Sequence, residues 1–267
     1  MQLDSWGFSI IFNSMLKNVT KILIIPLIFV ISVLADNQPC GIFSRVVVTG
    51  ASVSSGFGVT TPPIKGDLGA YPVNMKHILE GMITTDHEAV EFFGDLLFFR
   101  KSKANAEAYI EKIKEHKPTL VIGIDFLFWF GHGTPPIGSE IAAYRMEKLN
   151  FALSLLEQLK VPIIVGNLPN VRQAIGKMLS ASQVPTAEML EKLNERIHAW
   201  GEEHENIKIV DVFDLSNKLM NDEAITFLGH TWRAGSQSKL LQQDMLHTTF
   251  EGTVAASMMV AEEINVG

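Results

Sequence analysis

The stretch Arg45-Val46-Val47-Val48-Thr49-Gly50-Ala51-Ser52-Val53-Ser54-Ser55-Gly56-Phe57-Gly58 decides the fold. Val46 to Thr49 are all β-branched with no polar alternation, the pattern of a short strand buried on both faces of a parallel sheet. The run stops at Gly50, and a Gly/Ser-rich loop follows. Working outward, similar Val/Ile-rich runs recur at Thr119 to Asp125 (TLVIGID), Val161 to Gly166 (VPIIVG) and Ile207 to Val212 (IKIVDV). The segments between them carry apolar residues at helical spacing. Ala106, Tyr109, Ile110 and Ile113 form one stripe; Ala142, Met146, Leu149, Leu153 and Leu156 form a second. Met189, Leu193, Ile197 and Trp200 mark a third helix, and Val254, Met258, Ala261 and Ile264 a fourth. Strands alternating with helices imply right-handed crossovers. The predicted class is therefore α/β, a three-layer α/β/α sandwich with a mostly parallel central sheet. Residues 53–103 are the least patterned part, with Thr61-Pro62-Pro63 and two strand candidates, Ala89 to Phe93 or Leu96 to Phe99. The rest of that stretch reads as an elaborated loop near the site.

At 267 residues and 47% hydrophobic content the chain suits one sizeable domain. A net charge of −7 and no dense Lys/Arg stripe exclude nucleic acid as a partner. The N-terminus reads differently from the rest. Lys17 and Lys21 precede the apolar run Ile22 to Ala35, which ends before the polar Asp36-Asn37-Gln38. That is the layout of a signal peptide with cleavage after Ala35. The run is shorter than the roughly 20 residues of a bilayer span, and an uncleaved anchor is the alternative. The expected organisation is a signal peptide over 1–35 and one folded domain over 36–267, exported to the periplasm or secreted. Membrane contact is expected only through the N-terminal segment if it stays uncleaved. Cys40 is the sole cysteine, so no intramolecular disulfide forms. Pro39 before it argues against lipidation.

Two segments carry chemistry. Ser52 stands just past the C-terminal end of a central strand, where open α/β sheets bind ligands, with glycines that let the backbone turn tightly. A Gly/Ser-rich loop in that place also serves as a phosphate cradle or a plain turn. The second segment is Asp244-Met245-Leu246-His247, before the last helix. An Asp three residues before a His can hold the imidazole by Nδ1 and leave Nε2 to accept a serine proton. A capping or surface pair is the other reading. Thr248 and Glu251 have capping-box spacing and are expected to start the C-terminal helix.

Together these blocks, GASVSSGFG and DMLHTTFEG, resemble those of the SGNH/GDSL hydrolase superfamily, over roughly residues 45 to 265. In that family Gly-Asp-Ser opens the domain and Asp-x-x-His precedes the final helix. Gly166-Asn167-Leu168-Pro169 is similar to a Pro-containing loop of the family. The resemblance implies a flavodoxin-like SGNH hydrolase fold, Ser52 as nucleophile, His247 as general base and acid, and Asp244 as its partner, with no cofactor or metal. It also implies oxyanion donors at the Ser52 amide and at a second-block glycine, for which Gly94 and Gly66 are the candidates. There are two departures. Ala51 replaces the block-one Asp that buttresses the loop, and the third-block Gly-x-Asn-Asp is absent from Gly123-Ile124-Asp125-Phe126-Leu127-Phe128-Trp129, with Leu127 near the expected Asn. Losing one oxyanion donor typically costs on the order of 10²–10³ in rate.

Asp125, Trp129, His132 and Asn167 are candidate pocket residues, each with a plainer role as a turn cap, a core aromatic, a loop residue or a corner. Asp125, His132 and the Asp86-His87 pair could join Asp244 and His247 around a metal, although no fixed-spacing motif supports it. Asp211 and Asp214 end a strand without an assigned partner. The expected activity is serine-dependent cleavage of an acyl or acetyl ester on a small molecule, lipid or carbohydrate. A vestigial binding or scaffold protein on the same fold and an acyltransferase are the alternatives.

Overall fold

The structure, a computed structural model, describes residues 41–62 and 69–265. The expected signal peptide over 1–35, Cys40 and Gly66 lie outside the described residues. Five strands form the central sheet: β1 (Val46–Gly50), β2 (Glu91–Gly94), β3 (Leu120–Gly123), β4 (Ile163–Gly166) and β5 (Ile207–Val210). All neighbours pair in parallel, in the order β2-β1-β3-β4-β5. The chain leaves β1 to one side for β2 and returns to the other for β3. The crevice at that switch point is where a doubly wound sheet places its ligands.

The helices in chain order are α1 (Met75–Met82), α2 (Ser102–His116), α3 (Phe128–Gly131), α4 (Ile141–Leu156), α5 (Ala187–Glu202), α6 (Val212–Met220), α7 (Gln237–Leu240) and α8 (Phe250–Asn265). A small antiparallel hairpin, β6 (Ile225–Phe227) and β7 (His230–Trp232), precedes α7. Side chains alternate across the strands and divide the core in two. Val47, Val121, Ile163 and Val165 pack with Ile110 and Ile113 of α2, Leu149 and Leu153 of α4, and Leu193 and Ile197 of α5. Val46, Val48, Ile122 and Ile164 pack on the other face with Ile78 and Leu79 of α1, Leu219 of α6, and Met258 and Met259 of α8. Each such fully buried aliphatic contributes roughly 1.5–3 kcal/mol relative to exposure. The molecule is thus the three-layer α/β/α sandwich that the strand–helix alternation predicts.

The differences from expectation are local. The second strand falls at Glu91–Gly94, overlapping the first of its two candidates. The expected long loop contains α1, whose Met75, Ile78, Leu79 and Met82 are all buried. The last strand stops at Val210, and Asp211 instead caps α6 by accepting from Asp214 N at 2.9 Å. Asp214 in turn pairs with Lys218 at 2.7 Å. The C-terminal helix is capped by Thr249 rather than Thr248, since Gly252 N donates to Thr249 Oγ1 at 3.1 Å. Glu251 accepts from Trp232 Nε1 at 2.9 Å and so fastens the hairpin to α8.

Candidate active site

The loop after β1 is shaped by a residue from the next strand over. Asp125, just past the end of β3, is buried and accepts from Ala51 N at 3.0 Å, Val53 N at 2.8 Å, Ser54 N at 3.2 Å and Ser54 Oγ at 2.5 Å. Burial pushes its carboxyl above the ordinary range, while these four donors stabilise the charge and oppose the shift. The carboxylate lies so close to the backbone that a β-carbon on Gly50 would come within 2.0 Å of Asp125 Oδ1, and Gly50 has φ 153°. Only glycine fits there. Ser55 N and Oγ both bond back to Ala51 O, at 2.9 and 2.7 Å. Of the amides from 51 to 55, that of Ser52 alone has no acceptor among the described residues. The buttress that Ala51 lacks therefore comes from Asp125. Because β3 ends at Gly123, the Gly-x-Asn-Asp spacing counted from that glycine lands on Asp125, and Leu127 is instead fully buried in the core. Where the motif has an amide donor, this chain has an acceptor turned onto the serine loop.

The second arm is built almost entirely from itself. Asp244 Oδ1 accepts from Leu246 N at 2.9 Å and His247 N at 3.0 Å, and Asp244 Oδ2 accepts from His247 Nδ1 at 2.7 Å. Partial burial pushes the Asp244 carboxyl up, but the hydrogen bonds from His247 and Leu246 outweigh it and hold the group below its ordinary range. Met245 takes a left-handed φ of 59° so that the arm can turn this tightly. With Nδ1–H donated to Asp244, His247 Nε2 is an acceptor, and Ser52 Oγ lies 2.9 Å from it. His247 is 4% exposed, and the Phe57 ring lies tilted by 33° against its imidazole, with centroids 4.3 Å apart. Gln242 Nε2 donates to Phe57 O at 2.6 Å and Thr248 O at 2.7 Å, which ties the two arms together.

The remaining predicted residues go to several places. Gly94 pairs with Gly50 across β2 and β1, and a β-carbon there would lie 2.5 Å from Gly50 O. It therefore sits beside the entry to the serine loop. Asn167 is spent on the β5–α6 junction: Nδ2 reaches Asp211 Oδ1 at 2.8 Å, and Oδ1 accepts from Phe213 N at 2.8 Å. The Leu168 corner beside it is held by Asn194, which donates to Leu168 O at 2.9 Å and accepts from Leu168 N at 2.8 Å. His132 is 1% exposed and lies flat on Phe128, 4.3 Å between centroids, and burial drives its imidazole down to about 3. Trp129 lines a polar cavity of about 550 Å³ with Phe99, Arg100, Lys101, Lys103 and Lys148. His87 pairs with Glu80 at 3.3 Å. Among the described residues no three His, Cys, Asp or Glu side chains are grouped to hold a metal ion. Sequence reasoning missed Phe57, Gln242 and the buttressing role of Asp125. Only the left-over carboxylate at a strand end signalled the last of these.

No protein-family model and no curated protein sequence matches the chain. Among solved structures it is similar to the lipase/acylhydrolase from Enterococcus faecalis, at 15% identity and a TM-score of 0.55, over 84% of this chain and 96% of that one. It is similar to an acetylxylan esterase from Geobacillus stearothermophilus at 17% identity and a TM-score of 0.52, over 85% of this chain and 96% of that one. The chain has the SGNH/GDSL hydrolase fold, carried by a sequence that shares few residues with either structure.

Proposed function

We propose that this protein is a serine ester hydrolase acting through an acyl-enzyme, with Ser52, His247 and Asp244 as its catalytic residues. The observation that carries this reading is the unbroken relay from Ser52 Oγ to His247 Nε2 at 2.9 Å and from His247 Nδ1 to Asp244 at 2.7 Å. In the first step Ser52 Oγ attacks the ester carbonyl as His247 Nε2 takes its proton, and the Asp244 carboxylate stabilises the imidazolium. The tetrahedral oxyanion is met by the uncommitted Ser52 amide, with Gly94 as the second donor. Collapse expels the alcohol, which receives the proton from His247. Water then attacks the acyl-enzyme by the reverse sequence, releasing the acid and regenerating Ser52. The similar structures, a lipase/acylhydrolase and an acetylxylan esterase, support ester cleavage as the general class. Placement of this chemistry outside the cytoplasm rests on the apolar run from Ile22 to Ala35, and a purified mature protein beginning at Asp36 is the expected product.

A fluorophosphonate probe tests the reading. The wild-type protein is expected to be labelled and Ser52→Ala to be silent. A folded wild-type protein that takes up no label overturns it.

A further inference from the structure

Beside the serine and histidine the structure holds an apolar cavity of about 120 Å³. Its near wall is made by Val53, the residue after Ser52, and by Met245 and Leu246, the two residues before His247. Its far walls are Leu215 and Leu219 of α6 and Ala255, Ala256 and Met259 of α8. The lining is mostly apolar, with Asp125, Asn167, Asn170 and Ser216 contributing polar groups and Gln237 Nε2 donating to Gln173 Oε1 at 2.7 Å. Protein cores close around voids of this size, because an empty one is destabilising in proportion to its volume. Here small residues on α8 keep the space open. Val53, Leu215, Met245 and Leu246, which line this space, are only half-buried.

We infer that this cavity binds the acyl chain of the ester, entered between Val53 and Leu246, and that the enzyme prefers short linear acyl groups of roughly four to six carbons over acetyl. The inference rests on the serine esterase reading and deepens it. An acyl carbon held at Ser52 Oγ has its chain beside Val53, whereas the alcohol side faces solvent and is not selected by this cavity. The volume is close to that of an engineered apolar cavity that takes up benzene, roughly 150 Å³, which sets the chain length. Each methylene moved from water into such a space is worth roughly a fourfold gain.

A series of p-nitrophenyl esters from acetate to decanoate reads the preference. For the wild type, kcat/KM is expected to rise roughly fourfold per methylene from acetate and to level off near hexanoate. Ala256→Phe fills the cavity from α8 and is expected to flatten that rise, bringing the hexanoate-to-acetate ratio of kcat/KM down toward one. Met259→Ala enlarges the cavity and is expected to move the optimum to longer chains. Binding is read separately in the uncatalytic Ser52→Ala protein, whose Tm is expected to rise with hexanoate and not with acetate. A wild type that cleaves acetate at least as well as hexanoate overturns the inference, as does a chain-length profile left intact by the Met259 variant. Hexanoate protection without labelling of Ser52 overturns the hydrolase reading and leaves the pocket standing.

Discussion

The two arms of the site are held in opposite ways. The histidine arm is local: all three hydrogen bonds to Asp244 come from residues two or three positions away. The serine arm is held from a distance, its amides gathered onto Asp125, 71 to 74 residues further along the chain. A local arm can be damaged in its chemistry while the rest of the fold stands. A long-range arm cannot, because the residue that shapes the loop also joins β1 to β3.

That contrast can be broken in graded steps. Asp244→Asn keeps the arm's shape but offers Nδ1 the wrong partner, and kcat is expected to fall by roughly 10³–10⁴ while the protein stays folded with a slightly lowered Tm at neutral pH, measured on hexanoate and acetate esters together. Asp125→Ala leaves three backbone amides and one hydroxyl without their acceptor. Unfolding free energy in urea is expected to drop by on the order of 3–5 kcal/mol, together with activity. An Asp125 variant as stable as wild type would remove the distinction between the arms. Gln242→Ala cuts the tie between them. It should cost about 1–2 kcal/mol of stability and about fivefold in kcat, with KM nearly unchanged. The smallest effect is with pH. Asp244 sits below its ordinary value, so its contribution to stability is full above roughly pH 3.9 and is lost as pH falls through the lowered value. The Tm advantage of wild type over Asp244→Asn should therefore be present at neutral pH and shrink below about pH 4.

How much was legible follows the same division. The meeting of Ser52, His247 and Asp244 was readable because Asp-x-x-His closes its own hydrogen bonds and because a serine after a β-branched run has one natural place in a parallel sheet. The strands β1, β3, β4 and β5 were readable to within a few residues, since burial on both faces leaves continuous apolar runs. By contrast α1 carries a full stripe at Met75, Ile78, Leu79 and Met82, yet eight residues after a proline- and glycine-rich segment give little periodicity to count. The hairpin Ile225–Trp232 is no longer than α1, and its strands of three residues each are held by Trp232 packing against α8 and Phe227. Asp125 was read as a strand-end carboxylate whose plainest role was to cap the next turn. Its partners are backbone amides, and amides leave no mark in the sequence.

The sequence by itself determined the class of fold, the serine at the end of the first strand and the histidine with its carboxylate, because each rests on periodicity or on bonds between near neighbours. Tertiary structure decided the buttress at Asp125, the contact of the Phe57 ring with His247 and the cavity between the serine loop and α8. These depend on which surfaces meet once β1 and β3 pair and α8 packs across the sheet, and a pairing between distant segments is fixed by burial of the whole core rather than by any local run of residues.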